Sequence, residues 1–81
     1  SFTKRVKEVE DIALNKEYVN QAYAINAGRE IRVFVNANKM SDNETVLLSK
    51  EIAKEIQEKV QYPGEIKVNV IRETRAVNYA K

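Results

Sequence analysis

The sequence contains no cysteine, no histidine and no tryptophan, only two glycines and a single proline. Without cysteine, neither a disulfide nor a thiolate zinc site can staple the fold. Without histidine or cysteine, nucleophile–histidine dyads, catalytic triads and imidazole-based metal centres are excluded as well. Carboxylates alone can bind magnesium or calcium, but the chain has no Asp-rich loop of that kind. A free-standing enzyme is not expected. No stretch approaches the 18 or so consecutive apolar residues of a membrane span, and no signal-peptide pattern opens the chain, which predicts a soluble segment without direct membrane contact.

The 81 residues are 43% hydrophobic and 32% charged, which suits one small globular domain rather than a disordered tail. A chain of this length buries only about 60–65% of the surface that it exposes when unfolded, so its core is thin. Fourteen basic residues stand against twelve acidic ones. That balance does not announce the clustered basic face of a nucleic-acid binder. The opening Ser1-Phe2, without methionine, suggests a piece of a longer protein.

Residues 3–16 read as a helix, with Phe2, Val6, Val9, Ile12 and Ala13 at helical spacing and Thr3 as the expected N-cap. From Val19 the period changes to two. Alternating runs on either side of Ala27-Gly28 predict a β-hairpin, and glycine tolerates the positive φ that a tight turn often needs. Ser41-Asp42-Asn43-Glu44 has the spacing of a capping box, and Leu48, Ile52, Ile56 and Val60 then form an i, i+4 stripe. Within that second helix Glu51–Glu55 is a repulsive pair and Glu55–Lys59 a favourable one. Tyr62-Pro63-Gly64 stops the helix. Ile66, Val68 and Val70 alternate with Lys67, Asn69 and Ile71 as a third strand, while residues 72–81 have no decisive period and extend that strand or form a tail.

The expected fold class is therefore α+β in the order α-β-β-α-β: a small three-stranded sheet with two helices on one face. Ile31, Val33, Val35, Ile66, Val68 and Val70 should face the helices. Arg32, Phe34, Lys67, Asn69 and Ile71 should then project from the other face. A basic face with an aromatic platform suits single-stranded RNA, through phosphate contacts and base stacking. One phenylalanine and two cations are a thin version of it, and exposed apolar clusters often mark protein contacts, so packing on another chain or domain is the favoured reading. Arg72 and Arg75 could grip phosphate, although salt bridging within Arg72-Glu73-Thr74-Arg75 is the simpler reading. Gly28-Arg29-Glu30 lacks the spacing and the following helix of a phosphate loop.

Several segments resemble the C-terminal end of the bacterial ribonuclease Y family: Val9-Glu10-Asp11-Ile12-Ala13, the run from Ala24 through Gly28 to Val33, Glu51-Ile52-Ala53-Lys54, and the long gap-free closing run from Tyr62 to Lys81. The likeness covers essentially the whole chain. Asn26 stands where the family leads one to expect glutamine, Glu65 where histidine is expected, and Asn78 where glutamate is expected; all three are polar exchanges. The resemblance implies that residues 1–81 are a single C-terminal accessory domain of a larger protein. That parent would carry an N-terminal membrane anchor, a coiled coil, a KH RNA-binding domain and an HD phosphohydrolase domain holding divalent metal. It would lie at the cytoplasmic face of the cell membrane and cleave RNA phosphodiesters to begin messenger RNA decay. None of the HD metal ligands maps onto this chain, so neither a catalytic residue nor a cofactor is expected in it. Its implied partners are the HD domain, further copies of itself and RNA, the last through the parent or directly.

Overall fold

In a computed structural model describing residues 1–81, the chain forms α1 (Phe2–Leu14), β1 (Val19–Ile25), β2 (Glu30–Asn36), α2 (Asp42–Lys59) and β3 (Lys67–Glu73). This is the expected α-β-β-α-β order. The sheet order is β1-β2-β3, with β1 antiparallel to β2 and β3 parallel to β2. A parallel neighbour needs a long crossover, and α2 supplies it.

The helix ends follow local hydrogen bonding. Ser1, rather than Thr3, caps α1, its hydroxyl accepting from the Lys4 N–H at 3.3 Å. Thr3 already lies within the helix, because the cap falls two residues earlier than the apolar spacing suggests. At α2 the capping box forms in full. Ser41 Oγ accepts from the Glu44 N–H at 3.2 Å, and Glu44 Oε1 accepts from the Ser41 N–H at 2.9 Å. The Glu51–Glu55 repulsion is relieved from outside the helix: Lys16 Nζ lies 2.6 Å from Glu55 and 3.3 Å from Glu51, with Lys59 3.2 Å from Glu55 on the other side. Lys16 and Lys59 hold the Glu55 carboxyl below its ordinary range. The hydrogen bond to Glu55 raises Lys16 in turn.

Both helices bury their stripes on one face of the sheet. Ile31, Val33 and Val35 of the central strand and Ile52 of α2 are completely enclosed. Each such side chain contributes about 1.5–3 kcal/mol on burial. Val9, Ile12 and Ala13 of α1 and Leu48 and Ile56 of α2 surround them, while Ile66, Val68 and Val70 pack half-buried at the margin. The hairpin turn runs through Asn26, Ala27 and Gly28, all with positive φ, and Gly28 at +79° is its tightest point. Tyr62 donates its hydroxyl hydrogen to the Gly28 carbonyl at 2.7 Å, and its ring lies 6.4 Å from that of Phe2. The start of α1, the hairpin and the turn after α2 are thereby tied together.

Candidate functional site

The face of the sheet away from the helices follows from the strand register. Along β2 it presents Glu30, Arg32 and Phe34. Ile25, Tyr23 and Gln21 of β1 lie opposite these, and Lys67, Asn69 and Ile71 of β3 flank the other side. Five of the residues singled out in the sequence, Arg32, Phe34, Lys67, Asn69 and Ile71, are therefore brought together. Arg75 joins them at one end, where its Nε donates to Glu73 at 2.8 Å and its Nη2 to the Gln21 side chain at 3.3 Å. Arg72 does not join them. It is paired in register with Val35 on the helix side, where it donates to Asp42 at 2.9 Å and to the Ala37 carbonyl at 2.8 Å.

Two contributors escaped the sequence reading. Tyr23 stacks obliquely on Phe34, ring centroids 5.7 Å apart at 30°, so the platform has two aromatic rings. The hairpin register places it there: Tyr23 pairs with Arg32, and Phe34 lies two residues along the same face. Glu30 is the other. Its buried carboxylate accepts from Asn69 Nδ2 and Arg32 Nε, each at 3.3 Å. The Asn69 hydrogen bond, then Arg32 and the nearby charge of Lys67, hold Glu30 below the ordinary carboxylate range against the opposing effect of burial. Nothing in the alternation of β2 distinguishes Glu30 from a solvated strand end.

The electrostatics of this face are largely settled internally. Arg32 is committed to Glu30 and Arg75 to Glu73, and Glu73 also accepts from Asn20 at 3.1 Å. Lys67 makes no ion pair within the chain. No three carboxylates converge as a metal site would require, and the chain has no histidine or cysteine. No helix is long and apolar enough to cross a membrane.

Beyond β3, residues 74–81 run without regular structure, and Val77 and Tyr79 are 71% and 83% exposed. The outer edge of β3 has no strand beside it. Fold and surface together define a small α+β module that offers a mixed polar and aromatic sheet face, a bare strand edge and an apolar tail. No family model matches the chain. Over all 81 residues, however, it is similar to proteins named Ribonuclease Y: 83% identical to that of a Sulfurovum species, 73% to that of Campylobacter curvus and 72% to that of Campylobacter jejuni. The match takes in all of this chain but only 16% of the length of each of these relatives.

Proposed function

We propose that this chain is a non-catalytic domain, the C-terminal accessory one, of a ribonuclease Y-like endoribonuclease, and that it works by protein contact, through self-association or packing on the rest of its parent. The observation that carries this reading is the uncovered tail: Val77 and Tyr79 stand in solvent after a strand whose outer edge nothing pairs. Exposed apolar residues beside an open strand edge mark surfaces that other chains cover. In the parent, hydrolysis of RNA phosphodiesters would belong to a metal-dependent HD domain outside this chain. Anchoring at the cytoplasmic face of the membrane would come from an N-terminal helix, also outside it. The name shared by the relatives supports a ribonuclease as the parent, and the resemblance of the closing run is what implies the HD domain and the anchor.

The experiment is removal of residues 74–81, with association measured both to itself and to the remainder of the parent. Loss of either association supports the reading; two unchanged affinities contradict it.

The Tyr23–Phe34 ring pair favours a second reading, an accessory RNA contact, because two adjacent rings can stack bases. Against it, the cations closest to the rings are already neutralised by Glu30 and Glu73. RNA affinity that falls steeply with salt would establish this alternative.

A further inference from the structure

The two outer edges of the sheet are treated differently. On β1, the register shifts between Val19 and Gln21, and Glu10 of α1 reaches over to accept from the Ala24 N–H at 2.9 Å. A bulge and a covering side chain are two of the means by which proteins blunt a strand edge. β3 has neither. It is seven residues long, contains no proline or glycine and pairs with β2 without a shift.

Its backbone polarity can be assigned. The Lys67 N–H bonds to the Arg29 carbonyl at 2.9 Å, and the Glu73 carbonyl accepts from the Ala37 N–H at 3.0 Å. Odd-numbered residues of β3 thus turn their main chain toward β2. Val68, Val70 and Arg72 turn theirs outward, where no strand meets them.

We infer that this edge takes a second copy of the chain, paired antiparallel about a two-fold axis through Val70, to give one continuous six-stranded sheet. The inference rests on the interaction role proposed above and names its partner. The edge is self-complementary in charge. With the axis at Val70, positions equally far before and after it face one another. Lys67 then lies opposite the partner's Glu73, and Glu65 opposite the partner's Arg75, each twice by symmetry. Residues directly opposite in an antiparallel pair project to the same face and interact. Lys67 and Glu65 have no ion-pair partner within their own chain, and this pairing supplies one to each.

Neighbouring registers fail on the same residues. An axis at Asn69 sets Glu65 against the partner's Glu73, and an axis at Ile71 sets Lys67 against the partner's Arg75. Like charges directly opposite are destabilising.

Apolar surface agrees with the register. On the open face, Ile71 comes diagonally beside the partner's Ile71, so the row Tyr23–Phe34–Ile71 continues across the axis. On the helix side, Val68 and Val70 are only half-buried in the single chain and gain a neighbouring strand. Residues 74–81 leave β3 toward the partner's turn after α2. With the axis at Val70, positions 74 and 76 come opposite positions 66 and 64 of the other copy, beside its groove of about 340 Å³ lined by residues that include Ala53, Ile56, Ile66 and Val68.

The test is sedimentation equilibrium of the 81-residue chain, of Lys67→Glu, of Glu73→Lys and of an equimolar mixture of the two variants, with circular dichroism to confirm that each is folded. The wild type should dimerise. Each variant opposes like charges at two symmetry-related places and should dimerise about tenfold more weakly or worse. The mixture should recover, because each variant restores opposite charge to the other. Variants that dimerise like the wild type, or a mixture no tighter than its components, would overturn the register. Since the chain has no cysteine, Val70→Cys provides a second readout. Its sulfur would face its own copy across Cα atoms about 5.5 Å apart, within disulfide range. Oxidation should cross-link it faster than Leu47→Cys on the exposed side of α2, and equal rates would overturn the arrangement. A wild-type chain that is monomeric yet binds the remainder of the parent eliminates this dimer and leaves the interaction role standing. One that is monomeric and binds neither eliminates both.

Discussion

Gly28→Ala tests the junction that sets the hairpin against the helices. A β-carbon at residue 28 would meet the Tyr62 hydroxyl and stand 2.9 Å from the Phe2 ring. Phe2 lies at the start of α1 with 47% exposure and can swing aside, so Tyr62 decides the cost. Two contributions add. At φ +79° an L-residue loses about 1–2 kcal/mol relative to glycine. Displacing the tyrosine breaks its 2.7 Å hydrogen bond to the Gly28 carbonyl, a further loss of about 0.5–1.5 kcal/mol. The expected destabilisation is therefore roughly 1.5–3.5 kcal/mol. In a Tyr62→Ala background the collision and the hydrogen bond are both gone, so the same substitution should cost only about 1–2 kcal/mol. Urea denaturation of the four proteins, followed by far-ultraviolet circular dichroism, closes the cycle. A Gly28→Ala chain within about 0.5 kcal/mol of wild type, or an equal penalty in both backgrounds, would mean that Tyr62 does not hold the turn.

Ser41→Ala removes half of the capping box and should cost about 1 kcal/mol, measurable in the same denaturation assay. Acid should destabilise the fold through Glu30, Glu44, Glu55 and Glu73, all held below their ordinary value of 4.5. Their contribution is fully present above that value and is lost as the pH falls through the lowered ones, so Glu30→Gln should flatten the acid limb of a stability–pH curve. Lys16 acts in the opposite sense: raised above 10.5, it contributes fully below that pH, and its contribution fades as the pH climbs through the raised value. Arg32→Ala combined with Lys67→Ala should leave the parent protein's affinity for a short single-stranded RNA within about twofold in a fluorescence anisotropy titration; a loss scaling with two phosphate contacts would favour the RNA reading.

What the sequence discloses is set by how local the governing interactions are. The capping box of α2 spans four consecutive residues, and the Leu48–Ile52–Ile56 stripe repeats at one helical turn, so both were legible directly. Strand alternation placed Arg32, Phe34, Lys67, Asn69 and Ile71 on a common face, because period two leaves only two choices. The remainder depends on partners distant in the chain. Tyr23 reaches the aromatic platform only through the β1–β2 register, and Arg72 is drawn to the helix side by pairing with Val35 and by Asp42, thirty positions away. Glu30 becomes a buried, bonded carboxylate only once Asn69, thirty-nine residues later, lies beside it. The N-cap of α1 shifted from Thr3 to Ser1 because either hydroxyl could open the same apolar stripe. The parallel placement of β3 was open in sequence, and that placement leaves its far edge bare.

Sedimentation velocity of the 81-residue chain over a wide concentration range, with and without a short single-stranded RNA, tests most directly whether this is an assembly module. The sedimentation coefficient should rise with protein concentration and not respond to RNA. A species that stays monomeric on its own and shifts only when RNA is added, less so at high salt, would contradict the assembly role.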